Sequence, residues 1–238
     1  MDVSVSYYSE EGGRAINEDA VYLGGHENKL LALVADGLGG MSHGDRAAKI
    51  AVKTISARVA LEELSAQCLN SAVEQANSDI IREQHGEKMC STMSALWLDP
   101  YKACVSHVGD SRIYQFRDGQ IIYQSRDHSV SQMAVLVGEI TPSEIRGHRD
   151  RNRLVRALGA SRTIIPETDM LDVRNGDAFL LCSDGFWELI EECDMIEYLA
   201  ATDDAGEWLG RMKRHVEKMQ TADSDNNSAV AVIVHGLT

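Results

Sequence analysis

Aspartates stand at the ends of four apolar segments of this sequence. They are Asp36 after LLALVA, Asp184 after AFLLCS, Asp110 after ACVSHVG and Asp225 before AVAVIV. A carboxylate at the lip of a buried strand costs free energy unless a counter-charge compensates it. Four such positions indicate one shared counter-charge, and a bound metal ion is the natural candidate.

Glycines follow two of these aspartates, at Gly37 and Gly185. A glycine lets the backbone approach a ligand closely, and its carbonyl oxygen can itself bind a metal ion. No histidine or cysteine stands at a matching position, and hard oxygen ligands favour magnesium or manganese over zinc. A single Asp-Gly pair is a common turn, so it is the joint placement at strand ends that predicts a metal site.

The segment RAINED adds Arg14, Glu18 and Asp19 just before another apolar stretch. An arginine beside acidic residues either forms a salt bridge with them or clamps a phosphate group with its guanidinium fork. The residues themselves leave these two interpretations of Arg14 open.

Apolar periodicity predicts about nine to eleven strands and four to six helices. The expected strands are 3–8, 20–24, 30–35, 92–98, 102–108, 111–117, 120–123, 163–171, 178–182 and 228–235. Helices are expected around 47–55 and at 61–84, 128–137, 186–200 and 204–220, with Trp187 and Trp208 as core anchors. Helices that come in pairs between blocks of strands predict an α+β fold, in which two antiparallel sheets lie between pairs of helices. No linker divides the chain, so we expect one domain over residues 1–238.

Composition excludes several classes of protein. A net charge of −14 disfavours binding to nucleic acid or to anionic membranes. The first residues show no signal-peptide pattern, and no apolar run approaches the ~20 residues of a membrane span. Five cysteines without paired spacing indicate reduced thiols. We therefore expect a cytoplasmic protein, and we expect it to be a monomer.

Eight segments then show a resemblance to a known family. They are GGRAINEDA (12–20), LVADGLGG (33–40), STMSALWL (91–98), SHVGDSRIY (106–114), RDHSVSQ (126–132), NRLVRALG (152–159), GDAFLLCSDGFWEL (176–189) and DNNSAVAVIV (225–234). In order and spacing the chain resembles the protein phosphatase 2C family of metal-dependent serine/threonine phosphatases, in its short bacterial form.

The resemblance implies two Mn²⁺ or Mg²⁺ ions with a possible third, and a hydroxide bridging two of them that attacks phosphorus. The implied metal ligands are Asp36 as the bridging carboxylate, the Gly37 carbonyl, Asp184, Asp225, Asp19 and, for a third ion, Asp110, with weaker or supporting roles for Glu18 and Asn226. Arg14 is implied to hold the substrate phosphate and, with Asp36, to act in catalysis. The implied partner is a phosphorylated protein, which is either a serine/threonine kinase or its target.

The sequence departs from the family pattern where some members have a histidine as general acid. Leu38 stands at that position and Met41 replaces a second histidine, which leaves His43 or a water bound to metal as the proton donor. A member that keeps the fold as a scaffold and has weak catalysis is the alternative function, although all the main ligands are present.

Two further segments are expected to tune the substrate. Residues 133–147 fall where bacterial members have a mobile flap, with hinges at Gly138 and Gly147. Arg146, Arg149, Arg153 and Arg156 are predicted on one helix face. That face either docks an acidic phosphoprotein or phosphate, or pairs with Glu139, Glu144 and Asp150 as a solvated surface.

Overall fold

The computed structural model describes residues 1–26, 28–38, 43–60 and 62–237 of the chain. The strands are β1 Asp2–Glu10, β2 Ala20–His26, β3 Lys29–Ala35, β4 Met93–Leu98, β5 Lys102–Val108, β6 Arg112–Arg117, β7 Gln120–Gln124, β8 Glu167–Asp172, β9 Ala178–Cys182 and β10 Asn227–Gly236. The helices are α1 Gly44–Val59, α2 Ala66–Glu83, α3 Val130–Leu136, α4 Asp184–Trp187, α5 Glu192–Ala200 and α6 Ala205–Met219, with a 3₁₀ turn at Pro142–Glu144.

The strands form two antiparallel sheets of five. One has the order β1-β10-β9-β6-β7 and the other has the order β2-β3-β4-β5-β8. Helices α1 and α2 cover the outer face of the second sheet, and α4, α5 and α6 cover the outer face of the first. A third apolar layer fills the space between the sheets. The predicted α+β sandwich is confirmed.

Strand β3 shows why LLALVA is apolar without interruption. Leu31 and Leu33 pack against the helices, whereas Leu30, Ala32 and Val34 pack against the other sheet. Successive side chains of a strand point to opposite faces, and here both faces are buried. A strand in such a layer needs apolar residues at every position.

The turn between β6 and β7 confirms the predicted Asp-Gly hairpin. Asp118 has φ 51° and Gly119 has φ 73°. Positive φ at both central positions is the geometry of a type I′ turn, which aspartate followed by glycine adopts readily.

The predicted starts of one helix and one strand were wrong. Helix α2 begins only at Ala66, because the Ser65 side chain caps it by accepting a hydrogen bond from the Cys68 N–H. Strand β8 begins at Glu167 rather than 163, directly after Pro166, which has no N–H for the sheet ladder.

The predicted helix 186–200 is split into α4 and α5. Arg146 donates hydrogen bonds to the carbonyl oxygens of Trp187 and Ile190, at 3.0 Å each. These bonds satisfy carbonyls that a continuous helix would have used internally, so the chain turns between the two helices.

The predicted helix face of arginines was also wrong. Residues 145–158 form turns and short bridges, with no α-helix. Arg146 turns inward, where it pairs with Glu191 and Glu192. Arg149 and Arg153 turn outward and share Asp150.

Arg156 does not share the partners of the other three arginines. It contacts His128 and the carbonyl oxygen of Ile165. Of the predicted acidic partners, Asp150 is confirmed. Glu144 instead caps its own 3₁₀ turn through Thr141, and no ion pair of the described residues includes Glu139.

The tryptophans are core anchors as predicted. Trp187 and Trp208 are fully buried, and the Trp208 indole N–H donates to the Met195 carbonyl oxygen at 3.0 Å. Across the described ranges, the helices are too short or too polar to cross a membrane.

Arg117 is expected to stabilise the fold measurably. It makes a bidentate ion pair with Asp177, which is completely buried. Replacement by Arg117→Met leaves that carboxylate without its counter-charge. We expect the free energy of unfolding in urea to fall by roughly 3–5 kcal/mol, near the lower end because the guanidinium is partly exposed.

Lys102→Met is the matched control, because Lys102 pairs with Asp172 on the open surface. Its loss should cost less than about 1 kcal/mol. Equal losses of unfolding free energy in the two variants would show that Arg117 does not stabilise the fold by balancing the buried charge of Asp177.

Candidate metal centre

Two of the predicted ligands meet at the end of the second sheet. Strands β2 and β3 pair with Ala20 opposite Ala35, so Asp19 and Asp36 flank the same end of the ladder. The backbone of Asp36 is fixed further, because its carbonyl oxygen accepts a hydrogen bond from the Thr92 N–H at 2.8 Å.

The first sheet delivers two more carboxylates to the same end. Cys182 of β9 lies opposite Arg112 of β6, which brings Asp184 and Asp110 beside one another just beyond the strands. Asp184 is the first residue of α4. The N-terminus of a helix has a partial positive charge that favours a carboxylate.

Asp225 lies where β10 begins, and Gly185 allows its close approach. A Cβ atom at Gly185 would lie 2.1 Å from the Asn226 carbonyl oxygen and 3.3 Å from the Asp225 Cβ. Any side chain at position 185 would push this segment away from α4.

Hydrogen bonds tie the two sheets together at this end. The Ser183 hydroxyl donates to Asp19 Oδ2 at 3.0 Å. The Glu18 N–H donates to the Asn226 side-chain oxygen at 2.8 Å, and the Asn226 N–H donates to Asp225 Oδ1 at 2.9 Å. Asn226 therefore holds the segment of Glu18 through its side chain and Asp225 through its backbone.

The pKa of Asp36 is affected by every other carboxylate of the group. Withdrawal from water and then the negative charges of Asp184, Asp19, Asp110 and Asp225, in that order, raise the pKa of Asp36 well above its usual value. Each of the other four predicted carboxylates thus acts on this one, which is the position expected of a carboxylate that bridges two cations.

The neighbouring carboxyl groups are perturbed in the same direction. Burial raises the pKa of Asp19 to about 7, and hydrogen bonds from Ser228 and Ser183 offset part of the shift. Burial and nearby carboxylates, with Glu188 foremost, raise the pKa of Asp184 to about 7. Burial, then Asp184, raises the pKa of Asp110 well above the usual range.

These residues fit a group of divalent cations. In the part of the chain that the structure describes, no basic side chain forms an ion pair with Asp19, Asp36, Asp110 or Asp184. Asp19 Oδ1 is buried and has no hydrogen-bond partner. A buried carboxylate oxygen without a partner costs free energy that a bound cation would recover, and the all-oxygen donor set suits Mg²⁺ or Mn²⁺.

Gly37 is tightly enclosed beside this group. A Cβ atom at Gly37 would lie 2.3 Å from the Gly44 carbonyl oxygen and 2.7 Å from the Glu18 carbonyl oxygen. A Cβ atom at Gly44 would in turn lie 3.0 Å from the Gly37 carbonyl oxygen and 2.8 Å from Glu18 Oε1. The Gly37 carbonyl and the Glu18 carboxylate therefore lie near each other, as possible ligands of one ion.

Arg14 pairs with Asp225 at the exposed edge of the group. Its Nε donates to Oδ1 at 3.1 Å and its Nη2 donates to Oδ2 at 3.0 Å. The side chains of Arg14 and Asp225 are 54% and 42% exposed, and exposed pairs of this kind contribute only about 0–1 kcal/mol. The pair of Arg14 with Asp225 can therefore be broken at small cost.

His43 forms the N-cap of α1 with φ 67°, and its Nε2 lies 2.9 Å from Glu87 Oε2. This contact holds the imidazole at the surface. The glycines of LVADGLGG at 39 and 40, and Met41, lie outside the described residues.

Sequence reasoning missed the residues that hold the carboxylates in place. The Thr92 hydroxyl accepts the Asp36 N–H at 3.0 Å and contacts the Ser111 hydroxyl at 2.6 Å, so it joins the Asp36 and Asp110 segments. The Ser91 hydroxyl donates to the Asp36 carbonyl oxygen at 2.9 Å. The sequence signal that could have identified Ser91 and Thr92 is their place at the polar start of STMSALWL, directly before an apolar strand.

A second group of possible ligands lies apart from the carboxylates. His107, His128 and Glu167 offer atoms within 4.8 Å of one another. His128 Nδ1 accepts the Gly109 N–H at 3.1 Å, and the guanidinium Nη1 of Arg156 lies 3.1 Å from His128 Nε2. Burial, then His107 and Arg156, lowers the pKa of His128 to about 3.

Because Nδ1 already accepts the Gly109 N–H and the Arg156 guanidinium, which can only donate, faces Nε2, His128 is poorly placed to bind a metal ion. His128 instead clamps Gly109 twice, since its backbone N–H also donates to the Gly109 carbonyl oxygen at 2.8 Å. Asp110 is the next residue, so this clamp helps to fix its position.

Comparison with known proteins agrees with this arrangement. A profile of the protein phosphatase 2C family matches residues 8–224. The chain belongs to this family.

Two curated relatives are bacterial phosphatases. The serine/threonine protein phosphatase PstP of Mycobacterium tuberculosis is 35% identical over 193 residues, which cover 78% of this chain and 36% of PstP. The serine/threonine phosphatase Stp of Listeria monocytogenes is 27% identical over 223 residues, which cover 89% of this chain and 87% of Stp. The chain thus spans about a third of the length of PstP.

Solved structures of PstP have the same fold. One superposes with a TM-score of 0.87 at 29% identity, over 98% of this chain and 99% of that chain. The PstP catalytic domain in complex with two manganese ions superposes with a TM-score of 0.82 at 28% identity, over 98% of this chain and 100% of that chain.

The raised pKa values predict how the stability of the metal-free protein depends on pH. Asp19 and Asp184 titrate near 7 in the folded chain, whereas an unfolded aspartate titrates near about 3.9. The folded state therefore binds more protons than the unfolded state, and stability must fall as pH rises. Each extra proton contributes up to about 1.4 kcal/mol per pH unit.

The measurement is urea unfolding in chelator between pH 7.5 and 8.5. There histidine in the unfolded chain, with a pKa of about 6.5, is mostly neutral, so the lowered pKa values of His107 and His128 oppose the trend only weakly. We expect the wild type to lose stability over this range and Asp36→Asn to lose less. A flat or rising profile in the wild type, or an equal slope in the variant, would contradict the electrostatic account.

Proposed function

We propose that this protein is a metal-dependent phosphatase that hydrolyses phosphoserine or phosphothreonine in proteins, with Asp36 at the centre of a site for two divalent cations. The observation that supports this most is the convergence of four carboxylates on Asp36. Of the five carboxylates in this group, four have no ion-pair partner among the described residues. The relatives, which are serine/threonine phosphatases, support the same conclusion.

The roles of the residues follow from their positions. Asp36 would be the carboxylate common to both cations; Asp184, Asp225, Asp19 and the Gly37 carbonyl would complete their ligands, and Asp110 would hold a weaker third ion. When bound, the cations would supply a water activated as nucleophile near neutral pH and would offset charge on the phosphoryl group.

Arg14 binds the phosphoryl oxygens of the substrate. Its guanidinium is already in a bidentate geometry with a carboxylate that has similar spacing of oxygens. If the guanidinium of Arg14 moves from Asp225 to the substrate, it again donates two hydrogen bonds, now to phosphoryl oxygens. Its positive charge then lies beside the negative charge of the transition state.

A covalent cysteine intermediate does not fit the site. Cys182 lies inside β9 and is fully buried, and burial raises the pKa of its thiol far above the ordinary range. The thiolate, which is the nucleophilic form, is therefore not available there.

The substrate is proposed to be a phosphoprotein of a serine/threonine kinase system in the cytoplasm, namely the kinase or its target. Mn²⁺ or Mg²⁺ is the proposed metal, in line with the oxygen ligands and with the two manganese ions bound to PstP. The mobile flap at 133–147 remains a prediction; Gly138 within it has φ 78°.

Asp184→Asn tests the metal site. With Mn²⁺ and para-nitrophenyl phosphate we expect kcat to fall at least about 10²–10³-fold, because one ligand of the activating cations is lost. The control Asp172→Asn changes an exposed carboxylate on β8 and should stay within about twofold. Near-normal turnover by Asp184→Asn would remove this residue from the site, and no hydrolysis by the wild type would refute the function.

Arg14→Ala tests the phosphate clamp. We expect KM for a phosphothreonine peptide to rise about tenfold or more, with a smaller fall in kcat, and Arg14→Lys to restore part of the loss because it keeps the charge without the fork. Unchanged KM and kcat in Arg14→Ala would exclude this role.

A further inference from the structure

Positive charge is concentrated in one short segment of this acidic protein. Residues 146–162 contain six arginines and a single carboxylate, Asp150, whereas the whole chain has a net charge of −14. We call Arg149, Arg151 and Arg153 of this segment the arginine rim.

The arginine rim borders the carboxylate group on one side through α4. Arg151 Nε donates to Glu188 Oε1 at 2.6 Å. Glu188 is the neighbouring charge that most affects the pKa of Asp184, and Asp184 in turn acts on Arg151. The rim is thus close to the first residue of α4.

It borders the same group on the other side through Asp110. The Val130 N–H donates to the Arg153 carbonyl oxygen and the Val155 N–H donates to the His128 carbonyl oxygen, at 2.8 Å each. His128 clamps Gly109, which precedes Asp110. A polypeptide that presents a phosphate to the site would therefore pass beside this segment.

The arginine rim is exposed, and its positive charge is only partly balanced by carboxylates. The side chains of Arg149 and Arg153 are 90% and 70% exposed, and both pair with Asp150. Two guanidinium groups share one carboxylate, so one positive charge remains without a partner among the described residues. At physiological salt the Debye length is about 8 Å, so an approaching segment feels this local charge more than the distant negative surface.

Exposed apolar side chains lie next to the rim. Val155 is 57% exposed and lies two residues after Arg153 in the chain. Met133 and Leu136 of the adjoining α3, and Val137 at its C-cap, are 50–67% exposed. Exposed apolar groups beside a charged rim are typical of a protein-binding surface.

From this charge and position we infer that the arginine rim is a docking surface for the substrate polypeptide, which selects phosphoproteins with acidic residues flanking the phosphorylated side chain. The inference rests on the proposed phosphatase function. Arg149 and Arg153 bind the flanking carboxylates and take no part in the chemistry, so they should affect kcat/KM for peptides and leave small substrates unaffected.

The first test compares matched phosphothreonine peptides with wild-type enzyme and Mn²⁺. The peptides have identical apolar residues and differ only in aspartate, asparagine or lysine flanks. We expect kcat/KM to be about tenfold higher for the aspartate peptide than for the asparagine peptide, lowest for the lysine peptide, and we expect the differences to shrink in high salt.

The second test is the double variant Arg149→Glu/Arg153→Glu. It should reverse the order of the aspartate and lysine peptides and leave turnover of para-nitrophenyl phosphate unchanged. The matched control is Lys53→Glu/Arg58→Glu on the exposed face of α1, about 14–21 Å along that helix from Gly44. It changes the net charge equally and should keep the wild-type preference.

Several results would overturn the inference. Equal kcat/KM for the three peptides with the wild type would do so, as would an equal effect of the control variant. A rim variant that alters sedimentation of the protein but not peptide selection would show that the surface binds a second copy of the chain. If the wild type hydrolyses neither peptides nor para-nitrophenyl phosphate, the proposed function itself fails.

Discussion

Mutual repulsion among carboxylates is the constraint on which the rest of this structure depends. Asp36 feels four like charges, and its neighbours Asp19, Asp184 and Asp110 are likewise shifted toward the neutral form. Such an arrangement is unfavourable on its own, because these carboxylates are withdrawn from water and no basic side chain of the described residues forms an ion pair with Asp19, Asp36, Asp110 or Asp184. It becomes favourable when divalent cations bind, which is why the group indicates metal chemistry rather than a structural role.

The rest of the fold is stable enough to offset the repulsion among these carboxylates. Each central strand is buried on both faces, so the body of the fold is stabilised by three apolar layers that do not involve the site. The carboxylates lie just beyond the strand ends. Hydroxyl groups of Ser91, Thr92 and Ser183 hold the nearby segments by hydrogen bonds, and they leave most carboxylate lone pairs free for cations.

The sequence predicted the parts that depend on local pattern. LLALVA followed by aspartate predicted a buried strand with a carboxylate at its end, and the Asp118-Gly119 turn was predicted equally well. The segment around Arg146 was misjudged because its conformation depends on contacts more than 40 residues away, with the carbonyls of Trp187 and Ile190. No periodicity within the segment records such a contact. The Thr92 tether and the pairing of Arg14 with Asp225 were undetermined for the same reason, since they join distant parts of the chain.

Calorimetric titration of Mn²⁺ into chelator-treated protein measures the cation site directly, without any substrate. The account predicts saturable binding of about two ions per chain in the wild type, and loss of that binding in Asp36→Asn, which removes the carboxylate that we propose both ions would share. Binding that is absent in the wild type, or that is the same in Asp36→Asn, would contradict it.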